Sequence, residues 1–162
     1  MKTYPTIPFV NKLLKGDEAL PPGDDWYVFD KYDGSNIRVE WNKKSGFYKF
    51  GRRNGLLDHT NPVLLKTHGI FANSHEAKLD KEFRSRKYER VLCFFEFHGP
   101  SSFAGGHDES ESHRLTLIDI NVHKKGFLSP KDFLALCASS GLSSGTDYAA
   151  LLYHGEITEE LI

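Results

Sequence analysis

Cysteine is scarce in this 162-residue sequence: Cys93 and Cys137 are the only two, each inside an apolar run and far from the other. That excludes a C-x-x-C zinc or redox site, and it points to a reduced, cytoplasmic chain. Long hydrophobic runs are also missing. None approaches the roughly 20 residues that span a bilayer, and the opening MKTYPTIPFVNKLL is too broken by proline to be a signal peptide, so no membrane partner is expected. There is almost no net charge (−1), so no global field attracts a polyanion. The balance is uneven, with 17 basic and 13 acidic residues in positions 1–100 but 4 and 9 in the remainder. What the chain does have is rings. Twelve Phe, seven Tyr and two Trp make up 13% of it, which excludes a disordered or low-complexity polymer and requires a packed core. The length fits one domain, 1–162, with no internal repeat and no linker.

Residues 1–25 carry four prolines and a Gly-Asp-Asp cluster, and they read as an irregular arm ahead of a sheet core at 26–162. WYVFD (26–30) is strand-like, and Asp33-Gly34 is a turn signal. In NIRVEW (36–41), Ile37, Val39 and Trp41 alternate with Arg38 and Glu40. NKKSG (42–46) is a turn and GFYKFG (46–51) a returning strand, so these three strands predict an antiparallel sheet. Residues 74–91 read as a charged helix with Leu79 and Phe83 inward. Its basic excess suits either a solvated face or a nucleic-acid contact. VLCFFEF (91–97) reads as a central strand and LTLIDIN (115–121) as another. FLSPKDFLALCASSG (127–141) predicts a helix, with Ser129 as N-cap, Pro130 at the first position, and Phe133, Leu134, Leu136 and Cys137 buried. YAALLY (148–153) reads as a short strand or a helical turn, and Thr158-Glu159-Glu160 as a helix start.

Three stretches place charge beside glycine at strand ends. DKYDGSN (30–36) offers the amine of Lys31, oxygens of Asp33 and Ser35, the bare backbone of Gly34 and the amide of Asn36; alone it also fits an ordinary hairpin turn. KFGRRNG (49–55) ends in Arg52 and Arg53, of which one can share a pocket with Lys31. FFEFHG (94–99) embeds Glu96 in a strongly apolar strand, which is costly unless the carboxylate is paired or opens to a cleft. The histidines show no tight ligand spacing for zinc. His107 and His113 flank DESES in what reads as a polar loop.

In order, Lys31-Tyr32-Asp33-Gly34, Arg53-Asn54-Gly55, Glu96-Phe97-His98-Gly99 and LTLIDI with Asp119 resemble the covalent nucleotidyltransferases, the superfamily of ATP-dependent DNA and RNA ligases and mRNA capping enzymes. Asn36, where DNA ligases and capping enzymes usually carry arginine, makes the likeness closest to RNA ligases, as does the opening YPTIPFVNKL. The resemblance implies an α+β fold, an antiparallel-sheet nucleotidyltransferase (ATP-grasp-like, ligase adenylation) domain. It implies ATP and Mg2+ as cofactors and RNA ends bearing 5′-phosphate and 3′-hydroxyl as partners. It makes Lys31 the nucleophile that becomes lysyl-AMP. Asp33, Gly34, Asn36, Arg53, Glu96, Gly99 and Asp119 would bind the nucleotide, Glu96 through the ribose hydroxyls, with Arg52 and Ser35 as further phosphate or RNA contacts. No base-stacking ring and no metal ligand is assigned.

Two further family elements, a Glu-Gly before an apolar strand and a Lys-x-Lys, have no counterpart, since Gly155-Glu156 is reversed and no lysine follows Lys131. The expectation is a C-terminally truncated domain completed by a missing segment or partner chain, with weak or absent adenylylation on its own. Two alternatives stand beside it: a non-catalytic nucleotide- or RNA-end-binding fragment, and a structural protein in which KYDGSN is only a turn.

Overall fold

The computed structural model describes residues 2–6, 25–57, 62–101, 108 and 110–156, of which Val63 and Leu64 are described by backbone alone. Its centre is a six-stranded antiparallel sheet in the order β4-β3-β2-β5-β6-β7. The strands are β2 (Ser35–Asn42), β3 (Gly46–Arg52), β4 (Gly55–Leu56), β5 (Arg90–His98), β6 (Arg114–Val122) and β7 (Gly126–Phe127). The expected central strand is β5, hydrogen-bonded to β2 on one side and β6 on the other.

Alternation sorts the residues of these strands by face. Ile37, Val39 and Trp41 of β2, with Val91, Cys93, Phe95 and Phe97 of β5, enter one core. That face is covered by α1 (Pro62–Phe71), which runs through a π-helical turn at Ala72–Glu76 into α2 (Ala77–Ser85), and by α3 (Pro130–Ser139). Rings from several elements meet there: Trp41 on Phe83, Phe47 on Phe71, and Phe71 on Phe95, with centroids 4.7–5.7 Å apart. Phe71, His75, Leu79 and Phe83 recur every fourth residue, a spacing that drifts around an α-helix. The wider π turn absorbs the drift and keeps all four buried. His75 Nε2 lies 2.8 Å from the Asp147 carbonyl oxygen, and Lys78 pairs with the Asp147 carboxylate at 3.2 Å.

The cap of α3 is as expected: the Asp132 N–H donates to Ser129 Oγ (3.1 Å), and the Ser129 hydroxyl donates to Asp132 Oδ2 (2.8 Å). The helix at 62–71 was not anticipated: Asn61-Pro62 is a start signal in the sequence, but the residues after it show little amphipathic contrast. No described helix is long and apolar enough to cross a membrane.

One expectation fails. β1 (Trp26–Phe29) does not form a hairpin with β2 across Asp33-Gly34. It pairs with β8 (Leu151–Gly155) in a separate two-stranded sheet, Trp26 opposite Gly155. Both neighbours of β2 are already taken, by β3 and β5, so β1 has no edge of β2 to join. KYDGSN is therefore a crossing between two sheets, which overturns its reading as a plain hairpin turn. The strand expected over 148–153 begins only at Leu151. Most of the expected arm, His107, and the helix start at 158 lie outside the described residues; residues 2–6 form no helix or strand.

Candidate functional site

The face of the large sheet turned away from the core carries Asn36, Arg38 and Glu40 on β2, Phe94, Glu96 and His98 on β5, and Thr116 and Asp119 on β6. The crossing 30–34 passes its end. Gly34 is pressed onto β5 so closely that a Cβ there would lie 2.2 Å from the Phe97 carbonyl oxygen and 2.9 Å from His98 Cβ. No other residue fits without moving backbone. At Gly99 a Cβ would come within 2.9 Å of the Ser112 carbonyl oxygen, which fixes the exit of β5 in the same way. Tyr32 completes the docking by stacking on His98 (centroids 4.5 Å, planes 24° apart). The Thr116 hydroxyl donates to the Thr146 carbonyl (3.3 Å), which leaves His98 Nε2 to donate to Thr116 Oγ1 (2.9 Å). Burial lowers the His98 imidazole below its ordinary range, with Arg114 adding to the effect, so the ring is neutral at pH 7.

Glu96 is the centre of this face. Burial pushes its carboxyl from 4.5 up to about 7. Against burial act the positive charge of Lys31, the Gly34 backbone N–H and, more weakly, Arg53, while Asp33 adds to the rise. Three separated stretches of sequence thus meet electrostatically at one carboxylate. Of the two adjacent arginines, Arg53 acts on Glu96. It also donates from Nη2 to Thr6 Oγ1 (3.2 Å), whereas Arg52 is exposed and contributes its carbonyl oxygen to the buried guanidinium of Arg38. Asn36 stands directly opposite Glu96 in the ladder; its Nδ2 reaches the Phe95 carbonyl (3.4 Å), and its buried Oδ1 has no partner among the described residues. Ser35, at the head of β2 opposite Phe97, lies at the same end. An orphan acceptor beside a carboxyl poised between its two protonation states suits a ligand that brings hydroxyl or amino donors.

Asp119 reaches this face through an irregularity. Leu117 pairs with Phe95 but Asp119 with Phe94, so Ile118 is an extra residue that turns Asp119 out of the core. Burial raises the Asp119 carboxyl from 3.8 to about 6, opposed by the Ile120 N–H and by Tyr4. The Tyr4 hydroxyl donates to Asp119 Oδ2 (3.3 Å), and its ring lies on Phe94 at 4.9 Å. The Lys2 carbonyl accepts from Arg38 Nη1 (2.6 Å). Residues 2–6 therefore strap the polar face between Asp119 and Arg53. Tyr4, Tyr32, His98 and Thr116 were missed from sequence, because nothing local marks a ring or hydroxyl that acts across strands. Among the described residues no three His, Cys, Asp or Glu side chains gather to hold a metal.

No protein-family model and no curated protein sequence matches this chain. Solved structures do. A mutant of Naegleria gruberi RNA ligase with ATP and Mn superposes with a TM-score of 0.59 at 19% identity, covering 85% of this chain and 39% of that one. The fold is the one that part of this RNA ligase adopts. An apo mutant of the same ligase gives a TM-score of 0.60 at 18% identity, and another with AMP and Mn gives 0.58 at 21%, each covering 85% of this chain and 39% of the ligase. The chain thus spans about two fifths of those RNA ligase chains, and the α+β, antiparallel-sheet expectation holds.

Proposed function

We propose that this chain is an RNA ligase-type nucleotidyltransferase domain (1–162) that binds ATP on the polar face of its large sheet and carries Lys31 as the nucleophile. One observation carries the reading. On an RNA ligase fold, Lys31, Asp33, Gly34 and Arg53 converge on the half-buried Glu96, with the Asn36 acceptor, unpartnered among the described residues, opposite. The Lys31 amine would attack the α-phosphorus of ATP. A nitrogen–phosphorus bond forms as the bond to pyrophosphate breaks; the attacking neutral amine gives up one proton to water and keeps the other. The AMP would then activate a 5′-phosphate RNA end, and a 3′-hydroxyl would displace it.

Glu96 and Asn36 are suited to the ribose hydroxyls, Arg53 and the exposed Arg52 to phosphate or the RNA end, and Ser35, Gly99 and Asp119 to the rim of the pocket. Mg2+ would be held mainly by nucleotide phosphates and water, as is usual for this ion, with no more than one or two carboxylates from the protein. The phosphate-holding amines of the resemblance would be supplied from outside these residues. Two buried, unpaired thiols fit a reducing compartment such as the cytoplasm.

Intact-mass analysis after incubation with ATP and Mg2+ is the test. A small fraction of AMP adduct that vanishes in Lys31→Ala supports the reading. ATP binding without an adduct favours the non-catalytic nucleotide-binding reading. ATP binding indifferent to Lys31→Ala, Arg53→Ala and Glu96→Ala refutes the site.

A further inference from the structure

The end of the large sheet remote from Lys31 concentrates positive charge that the site does not use. Three turns meet there: 42–46 between β2 and β3, 86–90 between α2 and β5, and 122–126 between β6 and β7. Backbone bonds lock them together. Lys43 N–H donates to the Glu89 carbonyl (3.1 Å) and His123 N–H to the Arg90 carbonyl (3.0 Å). Across these turns stand seven Lys and Arg against one acidic residue, in a chain whose net charge is −1.

Lys43 is paired with that acid, Glu89 (3.4 Å), and Arg86 with Glu82 (2.6 Å). Lys44, Lys87, Arg90, Lys124 and Lys125 are all exposed, and among the described residues none has a carboxylate within ion-pair distance. An open depression of about 470 Å³, lined by Asn42, Lys43, Lys44 and Glu89, lies between the first two turns. Neighbouring strands are about 4.8 Å apart, so the outer two turns, centred three spacings from each other, are separated by about 14 Å.

The backbone adds a second, independent observation. Lys87 (φ 57°) and Lys124 (φ 67°) are the only non-glycine residues with left-handed φ among those described. Glycine would occupy these positions without strain, so the chain keeps a lysine at each despite a conformational cost.

We propose that this rim is a second, sequence-independent binding surface for the phosphate backbone of RNA, remote from the candidate site. β2 separates the two by about 24 Å over its eight residues. The charge density suits phosphodiesters, which are gripped by lysine and arginine with release of counterions. The turns expose no apolar side chain that would insert into a bilayer, since Tyr88 and Val122 are buried. The surface acts independently of Lys31 chemistry.

Fluorescence anisotropy with a labelled single-stranded RNA blocked at both ends (5′-hydroxyl, 3′-phosphate) separates the rim from end recognition. Wild type and Lys31→Ala should bind it alike. The double variant Lys87→Gly/Lys124→Gly removes two charges where glycine is the easier residue, so it keeps the fold. It should bind several-fold more weakly, with a salt dependence shallower by about 1.4 in log–log slope. Lys44→Glu/Lys124→Glu/Lys125→Glu should lose about tenfold or more, with circular dichroism confirming the fold. The proposal is overturned if the glycine variant binds with wild-type affinity and slope. It is equally overturned if wild type fails to bind blocked RNA at 0.1 M salt, the result expected of a surface for an acidic protein, or if Lys31→Ala alone abolishes binding.

Discussion

Replacing Glu96 with glutamine should make the protein more stable at alkaline pH and leave it nearly unchanged at acid pH. In the folded chain burial holds the Glu96 carboxyl at about 7, against an ordinary 4.5. Folding therefore takes up a proton between these values. The unfolded chain ionises first, so stability is greatest below about 4.5 and falls as pH rises through about 7. The full displacement corresponds to about 3 kcal/mol. The carboxyl is only partly buried, and solvent screening reduces this to about 2 kcal/mol. In the glutamine variant that loss disappears, and the Gly34 N–H still finds an oxygen acceptor.

Thermal unfolding from pH 4.5 to 8.5 should therefore show the two proteins diverging, with the variant melting about 4–8 °C higher at pH 8. Asp119, held at about 6, gives both proteins a common slope at lower pH, which the comparison cancels. Parallel curves across the whole range, or a variant that melts lower at pH 8, would refute the account of Glu96 as a buried carboxyl held at a cost. Ligand binding offers a companion measurement. A nucleotide whose hydroxyls donate to the carboxylate should release about half a proton at pH 7, read by calorimetry in buffers of differing ionisation heat.

Gly34→Ala forces a methyl to within 2.2 Å of a β5 carbonyl, and urea unfolding should show a loss of about 2 kcal/mol or more; a loss below 0.5 kcal/mol would mean the crossing does not sit on β5. Tyr4→Phe removes the donor to Asp119, which should raise that carboxyl further and lower stability at pH 7.5 by about 1 kcal/mol; an unchanged melting temperature would show that the strap is absent in solution. Burial raises both thiols, Cys137 to about 12, so neither should react with a thiol reagent until the chain unfolds. Rapid labelling of the native protein at pH 8 contradicts the packing.

Much of the fold was legible because its signals are local. The alternation in NIRVEW, the apolar run VLCFFEF and the Ser129-Pro130 cap each fix an element within a few residues, and all three are present. The helix at 62–71 was legible only at its start, Asn61-Pro62. It is held by Phe71 packing against Phe47, Phe50 and Phe95, contacts that no window of its own sequence contains. The partner of β1 was misjudged for a related reason: a short connection favours a hairpin only when the neighbouring edge is free.

The sequence by itself determined which residue types stand at the strand ends: the amine of Lys31, the guanidinium of Arg53, and the carboxylate of Glu96 among phenylalanines. Tertiary structure decided what they can do. Register brings Asn36 opposite Glu96, and an extra residue at Ile118 turns Asp119 away from the core, which alternation alone would not have done. Only the packing of Gly34 onto β5 explains why a glycine must follow Asp33. The physical reason is range. Side-chain identity and backbone preference act over a few residues, whereas burial, register and electric field are set by strands distant in the chain and adjacent in space.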